Sequence, residues 1–321
     1  MSHVVILGAG ASRAAFPTGD PNGNRLPVMA DMVEVLHLGP LLSQYGPITV
    51  DNFELFFAEL AAKDPECLLL REIEGRVREY FSSLRLPNTA TIYDRLVLAL
   101  QPRDIIATFN WDPLIHLAYQ RHIFLQRLPK IVSLHGSVAV GACVKHRSYG
   151  SIRARCAICR TPYDPVKLMY PVHQKDYASD SFITGQWDLL RRHVRQGYWL
   201  TIFGYGAPDT DVEAVKLLLG MAHDNQLRTD GEVEVIDIKP REELVEKWDP
   251  FLGDHYAIHE SYDRSVLTRH PRLSSETLWL ESKELSPQKE RRFPIGDSLA
   301  ALQAAAAELM REEFARENAA G

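Results

Sequence analysis

Val4-Val5-Ile6-Leu7-Gly8-Ala9-Gly10-Ala11-Ser12 (residues 4–12) decides the fold. Val4 to Leu7 is a short, unbroken apolar run, the pattern of a strand buried on both faces. A strand of that kind lies inside a parallel sheet covered by helices on each side. The glycine loop follows at once. Two readings stand for it: Gly8, Ala9, Gly10 and Ser12 let backbone amides approach a pyrophosphate at a helix N-terminus, or the loop is only a tight strand-to-helix turn. The third glycine of the dehydrogenase fingerprint would fall at Arg13, so that pattern is broken.

Outward from this loop, residues 17–28 carry three prolines, two glycines and two asparagines and read as a loop. Helices are expected over Phe53 to Ala62, capped by Asp51-Asn52, over Pro65 to Leu84, and over Thr91 to Leu100. Then strands alternate with helices. Strands are expected at Ile105 to Thr108, Lys130 to Leu134, Trp199 to Phe203 and Val233 to Ile238. Helices are expected from Asp112-Pro113, over Gln186 to Gln196 and over Val212 to Ala222, and an alanine-rich one over Ser298 to Arg316. The fold class is therefore α/β: a Rossmann-like parallel sheet with helices on both faces, a helical insertion at 51–100 and a small inserted module at 141–164. Residues 1–240 form the main domain, and 241–321 form an extension that packs on it and ends in a helix.

The strand ends carry the chemistry, because ligands of open parallel sheets bind there. Thr108, Asn110 and Asp112 follow the second strand; an amide can hold a water or a ribose hydroxyl, and a carboxylate can accept from a carboxamide, although either residue could simply cap a helix. His135-Gly136 ends the third strand, where an imidazole can act as a general base near neutral pH or serve the structure alone. Gly204 and Gly206 in Phe203 to Asp211 permit close ligand approach, with Asp209 or Asp211 as an N-cap. Asp237 ends the fifth strand, where it could meet an adenosine. Between them, Cys143 and His146 are separated by two residues, as are Cys156 and Cys159, with nine residues between the pairs. Two such pairs match a four-coordinate structural Zn2+ site of three thiolates and an imidazole, with His146 placed as fourth ligand by spacing alone; the other reading is a loop with free thiols. Cys67 lies on a helix and reads as core.

The chain has 321 residues, with 36 Lys+Arg, 42 Asp+Glu and a net charge of −6. With 45% hydrophobic and 24% charged residues it is an ordinary globular sequence, which excludes disorder and fibrous classes. Mild acidity argues against direct binding to nucleic acid. The Arg147, Arg153, Arg155 and Arg160 cluster is either a solvated rim or a site for an acidic partner or a nucleic-acid trigger. There is no basic start followed by a long apolar core and no run of ~18 apolar residues, so a cytoplasmic protein with no membrane association is expected.

In this order, these motifs resemble the sirtuin family and its sirtuin-like relatives, over Val4 to about Pro240. Gly8 to Ser12 looks like the family's phosphate loop, Thr108, Asn110 and Asp112 like its threonine, asparagine and aspartate motif, and His135-Gly136 like its histidine-glycine pair. The cysteine module falls where sirtuins carry their zinc, and Gly204 to Ala207 looks like their later glycine-serine turn. Three departures stand out. The deacylases' proline-aspartate-phenylalanine-arginine run is absent after the first loop, where Phe16-Pro17-Thr18-Gly19-Asp20 stands. Phe109 replaces the motif's glutamine, and nothing in Met169 to Tyr177 matches the segment beside their acyl-lysine channel. The tyrosine-glycine turn at Tyr205-Gly206 with its trailing aspartate, the Asn110-Trp111-Asp112 motif and the helical insert from Asp51 to Leu100 look more like bacterial sirtuin-like NAD+ hydrolases of anti-phage defence.

The resemblance implies NAD+ as substrate and cleavage of its nicotinamide-ribose bond. Asp112 would hold the carboxamide, Asn110 would position water or ribose hydroxyls, and His135 would act as base. It also implies a homo-oligomer or protein partner that controls activity. The alternatives are an NAD-dependent protein deacylase and a non-catalytic NAD or ADP-ribose sensor.

Overall fold

The computed structural model describes residues 2–171, 177, 180–207, 211–223, 232–252, 255–283 and 286–320. Nine strands are described: β1 Ser2–Leu7, β2 Ile105–Thr108, β3 Lys130–Ser133, β4 Val140–Cys143, β5 Ser148–Ser151, β6 Asp164–Pro165, β7 Gly197–Phe203, β8 Glu232–Ile236 and β9 Tyr256–His259. Six of them form one sheet in the order β3-β2-β1-β7-β8-β9, with every pairing parallel. This is the Rossmann order, in which the chain leaves the central strand in one direction, returns, and continues in the other. The switch point lies between β1 and β7.

The Val4–Leu7 part of β1 shows why that run is uniformly apolar. Val5 and Leu7 belong to one core, while Val4 and Ile6 belong to the other. The first core takes the helical insertion, with Phe53, Phe57, Ile73, Val77 and Leu96. It also takes Leu302, Ala306 and Met310 from the helix Leu299–Ala320. The second core takes Ile183, Trp187 and Leu190 from the helix Ser181–Val194. Around Val4–Leu7 both faces of the sheet are thus apolar, and this run has no polar side.

The expected helices appear as Phe53–Lys63, Leu68–Ser83, Ile92–Ala99, Leu114–His122, Ser181–Val194, Val212–His223 and Leu299–Ala320. Asn52 caps the first through Leu55 N, and Thr91 and Asp94 form a capping box on the third. The helix Leu68–Ser83 starts three residues later than expected, and Cys67 is its half-buried N-cap residue rather than part of its body. The fifth expected strand ends at Ile236 rather than Ile238, whose side chain is 87% exposed.

The extension after Pro240 does more than pack on the core: Tyr256–His259 adds the sixth strand, in register with Val233–Ile236. Its Arg272 is buried, gives Nε to Glu313 at 2.7 Å and reaches the Leu100 carbonyl at 2.8 Å, which clasps the extension to the helical insertion. The inserted module is a three-stranded antiparallel sheet, β5-β4-β6. No described helix is long and apolar enough to cross a membrane.

Candidate functional site

The loop after β1 and the turn after β7 meet backbone to backbone at the switch point. Gly8 N donates to the Phe203 carbonyl at 3.0 Å, and Gly10 N donates to the Gly204 carbonyl at 2.9 Å. A Cβ on Gly8 would lie 2.4 Å from Tyr205 Cα, and one on Gly204 would lie 2.1 Å from Ala11 N. Gly204 also has φ +59°, in the left-handed region. These two glycines are therefore required by the joint itself. Gly206 is different: a Cβ there would meet nothing within 4 Å. Ala9 begins the seven-residue helix Ala9–Ala15, for which Gly8 is the N-cap.

Beside this joint, the ends of β1 and β2 bring a polar cluster together. Thr108 Oγ1 accepts from Asn110 N at 3.0 Å and holds the chain as it leaves the strand. Asn110 Nδ2 donates to the Gly8 carbonyl at 2.8 Å and to Ser12 Oγ at 3.0 Å. Ser12 Oγ donates to Asp112 Oδ2 at 2.6 Å, and Tyr93 Oη lies 2.6 Å from the same Oγ. An ionised carboxylate only accepts, so the serine hydrogen goes to Asp112 and the tyrosine hydrogen to Ser12. Asp112 Oδ1 also takes the amide of Leu114, the first residue of the helix Leu114–His122, so this residue holds the helix start and belongs to the cluster as well. Burial pushes the Asp112 carboxyl up, against the pull of Ser12 and of the Leu114 amide. Burial, then Asp112, push the Tyr93 hydroxyl well above its ordinary value. Asn110 Oδ1 has no hydrogen-bond donor among the described residues, which leaves an acceptor at the end of β2.

His135 follows β3. Gly136 after it has φ +76°, and a Cβ there would fall 2.1 Å from the Lys167 carbonyl, so the turn behind the histidine admits only glycine without rearrangement. His135 Nε2 lies 2.8 Å from Tyr177 Oη and 3.4 Å from Asp211 Oδ1. Tyr177 donates to Asp211 Oδ1 at 2.9 Å, and Tyr205 donates to Asp211 Oδ2 at 2.8 Å. Phe109 links the two clusters: its ring stacks on Tyr205 with centroids 4.1 Å apart and meets His135 edge-on at 4.7 Å. All of these side chains are buried.

The structure brings Gly8, Gly10, Ser12, Thr108, Asn110, Asp112 and Gly204 into one network and sets His135 beside it. Asp237 stands apart: at the end of β8 it accepts from Lys239 N at 3.2 Å, and its own amide donates to the His259 carbonyl. Pro208, Asp209 and Thr210 lie outside the described residues, as do 172–176 of the segment after the module. Four residues escaped the reading of the sequence as site members: Tyr93, Tyr177, Tyr205 and, beyond its capping role, Asp211. Only Asp211 carried a signal, as an acid trailing a glycine turn at a strand end.

The cysteine module gathers its four side chains. Cys143, His146, Cys156 and Cys159 place one ligand atom each within 4.8 Å of all the others. Cys143 Sγ is 3.8 Å from Cys159 Sγ and 3.5 Å from His146 Nδ1, and Cys156 Sγ is 3.4 Å from His146 Nδ1. A tetrahedral Zn2+ with ordinary bond lengths sets S···S at about 3.8 Å and S···N at about 3.6 Å. The donor set therefore fits zinc, with His146 bound through Nδ1. Ser148 and Thr161 hydroxyls lie 3.4 Å from Cys156 Sγ and 2.9 Å from Cys159 Sγ, as outer-shell donors do around thiolates. With all four positions filled by side chains, such a zinc would hold the module together and leave no site for substrate.

No protein-family model matches the chain, and no curated protein matches it. Among solved structures the chain is similar to Sir2 homologues. One is a Sir2 homologue in complex with NAD, at TM-score 0.40 and 15% identity over 89% of this chain and 91% of that one. Another is a Sir2 with an inhibitor, 2′-O-acetyl-ADP-ribose and a deacetylated peptide, at TM-score 0.41 and 13% identity over 89% and 95%. A third is a mutant Sir2 homologue with 2′-O-acetyl-ADP-ribose, at TM-score 0.44 and 16% identity over 89% and 94%.

Proposed function

We propose that this chain is an NAD+ glycohydrolase that cleaves the nicotinamide-ribose bond with water as acceptor, acting in the cytoplasm of a bacterium as part of anti-phage defence. The observation that carries the reading is Asn110. Its amide hydrogens are committed to Gly8 and Ser12, which fixes the side chain, while Oδ1 has no donor among the described residues. A fixed acceptor at the carboxyl end of β2, beside the switch point, is suited to a water or a ribose hydroxyl. Ser12, Gly8, Gly10 and Gly204 shape the crevice for the pyrophosphate. Asp112, with its buried carboxylate, accepts the carboxamide of the nicotinamide ring. As the glycosidic bond breaks, positive charge grows on the ribose, and Asn110 holds the water against that carbon. His135 takes the proton that the water loses. The module would carry a structural Zn2+ on Cys143, His146, Cys156 and Cys159. An assembly of copies or a protein partner would govern when the site turns over.

The test is nicotinamide release from NAD+ by the purified full-length chain, without peptide, beside Asn110→Ala and His135→Ala. Wild-type release with loss of about 10²–10⁴-fold in each variant is expected. Release that appears only when an acylated peptide is added would overturn water as acceptor and favour a deacylase. NAD+ binding without turnover under all conditions would favour a sensor.

A further inference from the structure

We infer that the cleft between the edge of the large sheet and the cysteine module is a second binding site, which takes a small organic anion with an aromatic body. The cleft has a volume of about 560 Å³, within the range of small-molecule sites. It is lined by Ile131 and Ser133 of β3, by Tyr119 of the helix Leu114–His122, and by Tyr149 and Arg153 of the module. Neither the glycine loop nor Asn110 lines it, so it is separate from the crevice at the switch point. Its occupancy does not depend on the hydrolase reading.

The argument for an anion starts from Gln186. β3 is the outer strand of the sheet, so its outward amide at Ser133 has no strand to bond. Gln186, on the helix Ser181–Val194, supplies Oε1 to that amide at 3.1 Å. This fixes the side-chain amide and turns Nε2 away from the backbone. Gln186 is 2% exposed and lines the cleft, and its Nε2 hydrogens meet no acceptor among the described residues. A buried donor needs an acceptor, and here it has to come from outside the described chain. His116 Nε2, also in the lining, is already engaged with Ser133 Oγ at 2.9 Å. Arg153 is exposed, and only its backbone amide is engaged, with Ser151 Oγ; its guanidinium has no partner among the described residues. No Asp or Glu lines the cleft. Two unspent donor groups, one of them charged, with no carboxylate beside them select an acceptor that bears negative charge. Tyr119, Tyr149 and Ile131 select a flat, apolar body behind it.

The experiment titrates the full-length, zinc-loaded chain with anilinonaphthalene sulfonate, a fluorescent aromatic anion, and with phenylnaphthylamine, the same body without the charge. Gln186→Glu is the main variant: it keeps an oxygen for the Ser133 amide and exchanges the donor that faces the cleft for an acceptor. The wild type should bind the sulfonate, with affinity lower by about 10–100-fold in Gln186→Glu and by about threefold or more in Arg153→Glu. The neutral dye should bind all three proteins within about twofold. Competition with naphthoate and with naphthyl phosphate then distinguishes a carboxylate from a phosphate head group by the tighter of the two. The inference is overturned if the wild type does not bind the sulfonate, if either variant binds it as the wild type does, if the neutral dye weakens in step with it, or if neither competitor displaces it. If Gln186→Glu does not fold, Arg153→Glu, on an exposed turn, carries the comparison. No readout involves nicotinamide, so failure of this site and failure of the hydrolase reading are told apart.

Discussion

Replacing Gly204 by alanine tests whether the joint at the switch point is as tight as its geometry says. Two costs add. An L-residue held at φ +59° loses about 1–2 kcal/mol. The new methyl would lie 2.1 Å from Ala11 N and 2.4 Å from Gly10 C, both backbone atoms that cannot rotate away. Overpacking of that kind costs about 1–3 kcal/mol. The sum is about 2–5 kcal/mol. For a chain of 321 residues, an unfolding entropy near 2.1 cal/mol/K per residue converts it to a fall in Tm of about 3–7 °C. The assay is thermal unfolding by circular dichroism, with Gly206→Ala as the internal control. A Cβ at Gly206 meets nothing within 4 Å, so its Tm should stay within about 1 °C of wild type. The reasoning fails if Gly204→Ala melts with the wild type, or if the two variants fall by the same amount.

Cys156→Ser should lower bound zinc, measured by atomic emission on the dialysed protein, from one equivalent to well below it, with a lower Tm in the same preparation; full zinc at normal stability would remove the four-ligand assignment. Acid should weaken the fold in two stages. Burial lowers the pKa of His3 to about 3 and that of His116 to about 4. Below the unfolded value near 6.5 the unfolded chain then binds the protons that the folded one refuses. Stability is full above pH 6.5 and should fall by about 1.4–2.7 kcal/mol per pH unit toward pH 4, read as the midpoint of urea unfolding; a flat profile between pH 7 and 5 would refute this. For Asp94, burial raises the carboxyl, but hydrogen bonds from His122, Arg121 and Thr91 outweigh it and hold the pKa at about 2. Its contribution, about 2 kcal/mol above pH 4, should disappear between pH 4 and 2.

The sheet was legible where a strand is buried on both faces. Val4 to Leu7 and Ile105 to Ala107 announce themselves because neither face has a polar residue to interrupt the run. Tyr256–His259 did not, because at the sheet edge all four of its residues are only half-buried, and four residues are too few for a pattern. The thiol-imidazole cluster was legible because a metal fixes spacing along the chain, and the same is true of glycines that abut backbone. Gly206 shows the limit of that signal, since the sequence treats it like Gly204 and the space around it does not. The hydroxyls of Tyr93, Tyr177 and Tyr205 were not legible at all. Each arrives from a separate element, and a tyrosine that serves a carboxylate is written no differently from one that fills a core.

The place of β1 in the sheet has a consequence for synthesis. Ser2–Leu7 is central, and its two neighbours are Ile105–Thr108 and Gly197–Phe203. At about 5–20 residues per second, the ribosome needs roughly 10–40 s to travel from Leu7 to Phe203. For most of that interval Val-Val-Ile-Leu is outside the tunnel with at most one of its partners made. A cell expressing this chain must keep four consecutive apolar residues shielded for that time, and slow translation should raise its demand for chaperones that hold nascent chains.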